Sequence, residues 1–217
     1  MESKVSRRRL LQSSSILAAS ALGLDFQQAT AGEKQQQASP QPLKGNINQS
    51  VVHWCFKKYW DLEKTAQIAS QLGIKSVEEN WDTLKKYGLT CAIASSHGFK
   101  SGFNNPDHWD ECIQILRKRI DECAAGGVKN VITFTGMRDG IDDETGAKNC
   151  VAGFKKIIGY AEKNNVNLCL EMLNSRDASH PMKGHPGYQG DHTEYCIDII
   201  KQVGSDRMKL LFDIYHV

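Results

Sequence analysis

Two short runs carry residue types that can do metal and proton chemistry. Asn167-Leu168-Cys169-Leu170-Glu171-Met172-Leu173-Asn174-Ser175-Arg176 sets a glutamate at the end of an apolar stretch. Leu210-Leu211-Phe212-Asp213-Ile214-Tyr215-His216 sets an aspartate at the end of another, with a histidine three residues later. Two hard oxygen donors from neighbouring strand ends suit Mg2+ or Mn2+, and a nearby imidazole can serve the ion or a substrate. Either carboxylate alone reads as an ordinary polar strand end or a helix N-cap. Both together, on successive strands, read better as a metal site with Glu171 and Asp213 as ligands.

Such residues need a frame, and from residue 50 onward short β-rich runs alternate with helical patterns. Ser50–Phe56, Ile74–Val77, Leu89–Ala94, Lys129–Phe134, Val166–Leu170 and Met208–Phe212 read as six strands. Between them, Asp61 caps a helix with Leu62, Ala66, Ala69 and Leu72 in phase, and a brief helical piece surrounds Trp81–Tyr87. Pro106 opens a long helix with Trp109, Ile113, Leu116, Ile120 and Ala124 on one side, stopped by Gly126-Gly127. Further helices cover Asp143–Asn164, with Val151, Phe154, Ile158 and Ala161 in phase, and Thr193–Val203. This alternation implies parallel strands joined by helical crossovers. An open doubly wound sheet would place a glycine-rich phosphate loop after its first strand, and no GxGxxG stands there. Polar residues instead follow several strands in turn: Glu78, His97, Thr135, Glu171 and Asp213. That distribution suits the C-terminal rim of a (β/α)8 TIM barrel, of the α/β class.

Residues 1–31 stand apart from this frame. Ser6-Arg7-Arg8-Arg9-Leu10-Leu11 places arginines before an apolar stretch, Ile16 to Leu24, and Ala29-Thr30-Ala31 offers a small-x-small cleavage site. The stretch is too short and serine-rich to span a bilayer. The order of features resembles a twin-arginine signal peptide, so export to the periplasm without stable membrane insertion is the expectation. Residues 32–45 read as a polar linker and 46–217 as the barrel domain. A formal net charge of +2 speaks against a nucleic-acid partner. The seven cysteines form no CxxC pair and read as small buried hydrophobes.

The runs LEMLNSR (Leu170–Arg176), HPGYQGDHTEYC (His185–Cys196) and LLFDIYH (Leu210–His216) resemble the hydroxypyruvate isomerase family. That family is a branch of the xylose isomerase-like barrels, beside the ketose epimerases and endonuclease IV. The resemblance extends from about Ile47 to Val217. It implies that Glu171 is a metal ligand and the catalytic acid/base, that Asp213 is a metal ligand, and that His216 and Arg176 contact a small hydroxy-carbonyl substrate. It further implies a divalent Mg2+ or Mn2+ cofactor and interconversion of hydroxypyruvate with tartronate semialdehyde through an enediolate. The family's remaining ligands sit on strands seven and eight. A typical barrel needs about 250 residues, and Asn46 to Val217 supplies 172. About six of eight βα units are therefore expected, with impaired turnover and open strand edges that favour homo-oligomers.

Other candidates carry a weaker signal. His97, in Ser95-Ser96-His97-Gly98-Phe99, reads equally as a substrate-contacting residue or a hydrogen-bonding loop histidine. His53 lies within the first expected strand, with Trp54 facing the helices. Lys100 and Tyr188 read more safely as solvated loop positions. His180, His185 and His192 lack ligand spacing, although their loop is suited to covering the mouth. The run Val77-Glu78-Glu79-Asn80-Trp81 is short for its place, which leaves Glu78 unassigned. The rival functions are a ketose epimerase with the same Glu–Asp–His set, an abasic-site nuclease with a basic face, and a non-catalytic binding module.

Overall fold

The computed structural model describes residues 47–179 and 183–216. The expected signal, the linker and His180 lie outside the described residues. The elements run β1 (Ser50–Val52), α1 (Leu62–Gln71), β2 (Ser76–Glu78), α2 (Trp81–Lys85), α3 (Trp109–Gly126), β3 (Asn130–Thr133), α4 (Asp143–Lys163), β4 (Asn167–Glu171), α5 (Thr193–Val203) and β5 (Met208–Leu211). β1 pairs with β2, and β3 with β4 and β4 with β5, all parallel.

The run Leu89–Ala94 links the two groups without forming a continuous strand. It makes parallel bridges from Thr90 to Ser76 and from Ala94 to Val131. Between them its backbone bonds to side chains instead. Asn130 Nδ2 donates to the Ala92 carbonyl at 2.8 Å, and the Cys91 thiol to that of Ile93 at 3.2 Å. Six chain segments thus lie side by side in sequence order, which is the wall of a (β/α) barrel.

Helix boundaries follow local chemistry. The Asp61 carboxylate accepts the Lys64 N–H at 2.7 Å, and the Asp142 carboxylate accepts that of Thr145 at 2.9 Å. Gly127 (φ 78) and Gly204 (φ 75) end α3 and α5 in the left-handed conformation. Leu116 and Ile120 of α3 and Phe154 and Ile157 of α4 are fully buried in one core with Val131, Leu168 and Leu170 of the strands. Each such side chain contributes about 1.5–3 kcal/mol of burial. Six cysteines are buried, Cys55 is exposed, and all seven are free thiols. No helix among the described residues is long and apolar enough to cross a membrane.

Three further expectations change. The buried stripe of α3 runs through Cys112, Leu116, Ile120 and Cys123, leaving Ala124 exposed. Leu72 is 43 % exposed, at the C-cap just after α1 ends at Gln71 and before the left-handed Gly73 (φ 77). The first strand stops at Val52: the His53 carbonyl takes the N–H groups of Phe56 and Lys57, winding the chain into a turn. His53 is therefore outside the sheet, with Nδ1 3.5 Å from a Glu79 carboxylate oxygen, and Trp54 is 53 % exposed.

Candidate functional site

β4 is buried through Leu168, Cys169 and Leu170 and surfaces at Glu171, its last residue. The β4–β5 register sets Glu171 opposite Leu211. Asp213 lies two residues further along, and strand periodicity returns it to the same face. A tight turn follows. The Asp213 carboxylate accepts the Tyr215 N–H at 2.9 Å, and its carbonyl accepts the His216 N–H at 3.0 Å. This folds His216 back until Nε2 is 3.9 Å from an Asp213 carboxylate oxygen. Donor atoms of Glu171, Asp213 and His216 all lie within 4.8 Å of one another.

The electrostatics are those of crowded negative charge. Burial, then Asp213, then Glu78 push the Glu171 carboxyl up to about 7. Burial and Asp213 also raise Glu78, which ends β2. Glu78 is thus the cluster's fourth polar member. Its strand-end position was the available signal, obscured by the short run that follows it. Burial lowers His216, with Asp213 acting partly against it. The side chain of His216 is 9 % exposed, and its buried Nδ1 has no hydrogen-bond partner. Two carboxylates and an imidazole at this spacing fit a divalent cation. They could share one ion at ordinary ligand distances, and its charge would relieve the strain on Glu171.

The other candidates fall elsewhere. His97 is buried, with Nδ1 3.0 Å from the Ser101 carbonyl and Nε2 2.9 Å from Thr133 Oγ1, so both ring nitrogens are occupied. Arg176 is exposed, its backbone N–H held by the Asn174 side chain at 2.7 Å. Lys100 is exposed. Tyr188, expected in solvent, is fully buried, because its loop folds back over the ends of β3 and β4. His185, which nothing in its spacing singled out, stands over the cluster with its ring 5.9 Å from that of His216 and 4.3 Å from Phe99. His192 is bonded to Asp191 at 2.7 Å. A cavity of about 520 Å3 is lined by Trp54, Glu78, Trp81, Arg119, Glu122 and Ile132 among others, and Glu78 is the one residue it shares with the cluster.

A family model described as the xylose isomerase-like TIM barrel matches residues 16–217. A curated relative named probable endonuclease 4, from Thermotoga petrophila, is 24% identical over 136 residues, 61% of this chain and 44% of its own length. The chain thus spans under half the length of that relative. Among solved structures, the IOLI protein with a zinc atom bound superposes with a TM-score of 0.64 at 18% identity, over 78% of this chain and 64% of the other. D-psicose 3-epimerase with D-tagatose, from Clostridium cellulolyticum H10, gives 0.62 at 15% identity over the same shares.

Proposed function

Because this chain belongs to the xylose isomerase-like TIM barrel family, we propose that it is a metal-dependent isomerase of small α-hydroxycarbonyl compounds, with hydroxypyruvate as its first candidate substrate. The observation that carries this reading is the convergence of Glu171, Asp213 and His216 donor atoms within 4.8 Å at two neighbouring strand ends. Glu171, Asp213 and the imidazole of His216 would hold the ion, Mg2+ or Mn2+. When bound, a divalent cation supplies Lewis acidity that makes the C–H between a carbonyl and a hydroxyl easier to ionise.

The proton is then the protein's task. Glu171 ends β4 at the cluster, and its carboxylate is the group placed to take a proton from the substrate. Return to the neighbouring carbon isomerises the substrate. Return to the same carbon from the opposite face, by a second acid on that side, epimerises it. His216, expected to contact the substrate, is proposed as the third ligand instead. Arg176 is proposed to take the substrate carboxylate, which requires its exposed loop to close inward.

A ketose epimerase is the second reading. It is supported by the D-psicose 3-epimerase, which superposes over most of this chain. The name of the endonuclease 4 relative points to a nuclease instead; a net charge of +2 gives little basic surface for a phosphate backbone.

The test is deuterium uptake from D2O into the exchangeable C–H of hydroxypyruvate and of a ketose panel, followed by NMR with Mg2+. Cation-dependent uptake that disappears in Glu171→Gln is expected, and the preferred substrate separates the two readings. Folded, cation-loaded protein that exchanges no proton in either class sinks both.

A further inference from the structure

The loop after β4 returns across the ends of two strands before α5 begins, and it places one side chain between them. Tyr188 is fully buried. Its hydroxyl oxygen accepts the Thr135 N–H at 3.1 Å, and its proton is donated to the Glu171 carbonyl at 2.8 Å.

The phase of the ladder gives this placement its meaning. β3 and β4 pair Asn130 with Asn167 and Thr133 with Leu170, and the Asn167 N–H donates to the Lys129 carbonyl. Bonds of a parallel ladder recur every two residues along each strand. Continued in that phase, the rung beyond Thr133 would run from the Thr135 N–H to the Glu171 carbonyl. The Tyr188 hydroxyl occupies this rung, satisfying the same donor and the same acceptor with one oxygen between them.

The segment around Tyr188 is anchored without its hydroxyl. Gln189 N–H donates to the Gly136 carbonyl at 3.0 Å, and Gly190 N–H to Thr135 Oγ1 at 2.8 Å. Arg138 N–H donates to the Gly187 carbonyl at 2.8 Å, and its guanidinium grips the Asp191 carboxylate at 3.1 and 3.2 Å. Removing the hydroxyl therefore leaves the loop in place and empties only the rung.

We propose that Tyr188 is a positioning residue for Glu171: its hydroxyl, standing in for a rung between β3 and β4, fixes the strand end from which the carboxylate meets Asp213 and His216. This rests on the proposed cation-assisted proton transfer at that cluster. A carboxylate that must both hold an ion and move a proton is sensitive to small displacements of its backbone.

The experiment compares Tyr188→Phe with wild type in the full 217-residue chain, by calorimetric titration with Mn2+ and by the Mg2+-dependent exchange rate. The variant is expected to bind Mn2+ at least fivefold more weakly and to lose at least tenfold in kcat, with KM nearly unchanged. Ile120→Val, a core change on α3, should lower the melting temperature yet keep the wild-type Mn2+ Kd. A p-aminophenylalanine at position 188 retains a donor there and should recover Mn2+ binding, and it serves as the decisive variant if the Phe protein does not fold. Wild-type Kd and kcat in Tyr188→Phe overturn the positioning role alone, as does equal weakening in Ile120→Val or failure of the folded p-amino variant to bind Mn2+. Wild-type protein that neither binds Mn2+ nor exchanges a proton overturns the proposed function and this role with it.

Discussion

Glu171 and Asp213 leave neighbouring parallel strands on the same face, because Asp213 stands two residues beyond Leu211, the partner of Glu171 in the ladder. The backbone register, rather than any side-chain bond, forces the two carboxylates together. This predicts a measurable destabilisation. In the folded chain Glu171 sits at about 7, above the ordinary value of 4.5. A raised carboxyl favours the protonated fold, so its contribution is fully present below pH 4.5 and is lost as pH rises towards 7. Glu171→Gln should therefore stabilise the metal-free protein at pH 8, by roughly 1–2 kcal/mol, and abolish stabilisation by Mn2+. Denaturant melts with EDTA and with MnCl2 would decide. A variant less stable than wild type in EDTA at pH 8 contradicts the crowding argument.

Asp213 has two roles that a single substitution separates. One carboxylate oxygen accepts the Tyr215 N–H, and the other is the one nearest His216. Asparagine keeps a carbonyl oxygen for the turn and removes the charge. Asp213→Asn should thus retain the fold and weaken Mn2+ binding at least tenfold, which is about 1.4 kcal/mol. Asp213→Ala should also loosen the turn. If calorimetry gives the Asn variant a wild-type Kd, Asp213 is not a ligand.

Legibility in the sequence followed physical range. Elements whose signal is local were readable: Asp61 capping α1, Gly127 ending α3, and the apolar runs of β4 and β5. Glu171, Asp213 and His216 were readable because each is tied to its strand end by a few residues of chain. Tyr188, Arg138 and Asp191 were not. Their partners lie up to 53 residues away, and no periodicity encodes a loop that folds back on a sheet. His97 was ambiguous for the same reason, since its contact with Thr133 spans 36 residues.

The Arg138–Asp191 pair holds the loop that carries Tyr188, and its pH dependence runs opposite to that of Glu171. Desolvation acts to raise Asp191, but hydrogen bonds from Arg138, Ser175 and His192 outweigh it and hold the carboxyl below its ordinary 3.8. A depressed acid adds stability above its unfolded value and loses it as pH falls through the folded one. Asp191→Asn should accordingly cost about 2–4 kcal/mol at pH 7, since Arg138 loses its bidentate partner beside a carboxylate only 7 % exposed. The difference from wild type should shrink below pH 3. Urea unfolding at the two pH values tests this, and an equal cost at both would rule out the ionic account.

Gly153 sets helix propensity against packing, and packing should win. It lies in the middle of α4, where alanine ordinarily gains about 1 kcal/mol over glycine. A Cβ there would fall 2.7 Å from both a Phe103 ring carbon and the Trp109 indole nitrogen. Neither ring can yield freely. Phe103 is fully buried and stacks on Phe154 with centroids 4.2 Å apart, and the Trp109 N–H donates to the Phe103 carbonyl at 2.9 Å. Overpacking of a fixed aromatic pair costs about 1–3 kcal/mol, which exceeds the propensity gain. Gly153→Ala should therefore melt below wild type, whereas Gly159→Ala, on the same helix with open space around its Cβ, should melt above it. If both variants melt above wild type, the aromatic contact does not constrain α4.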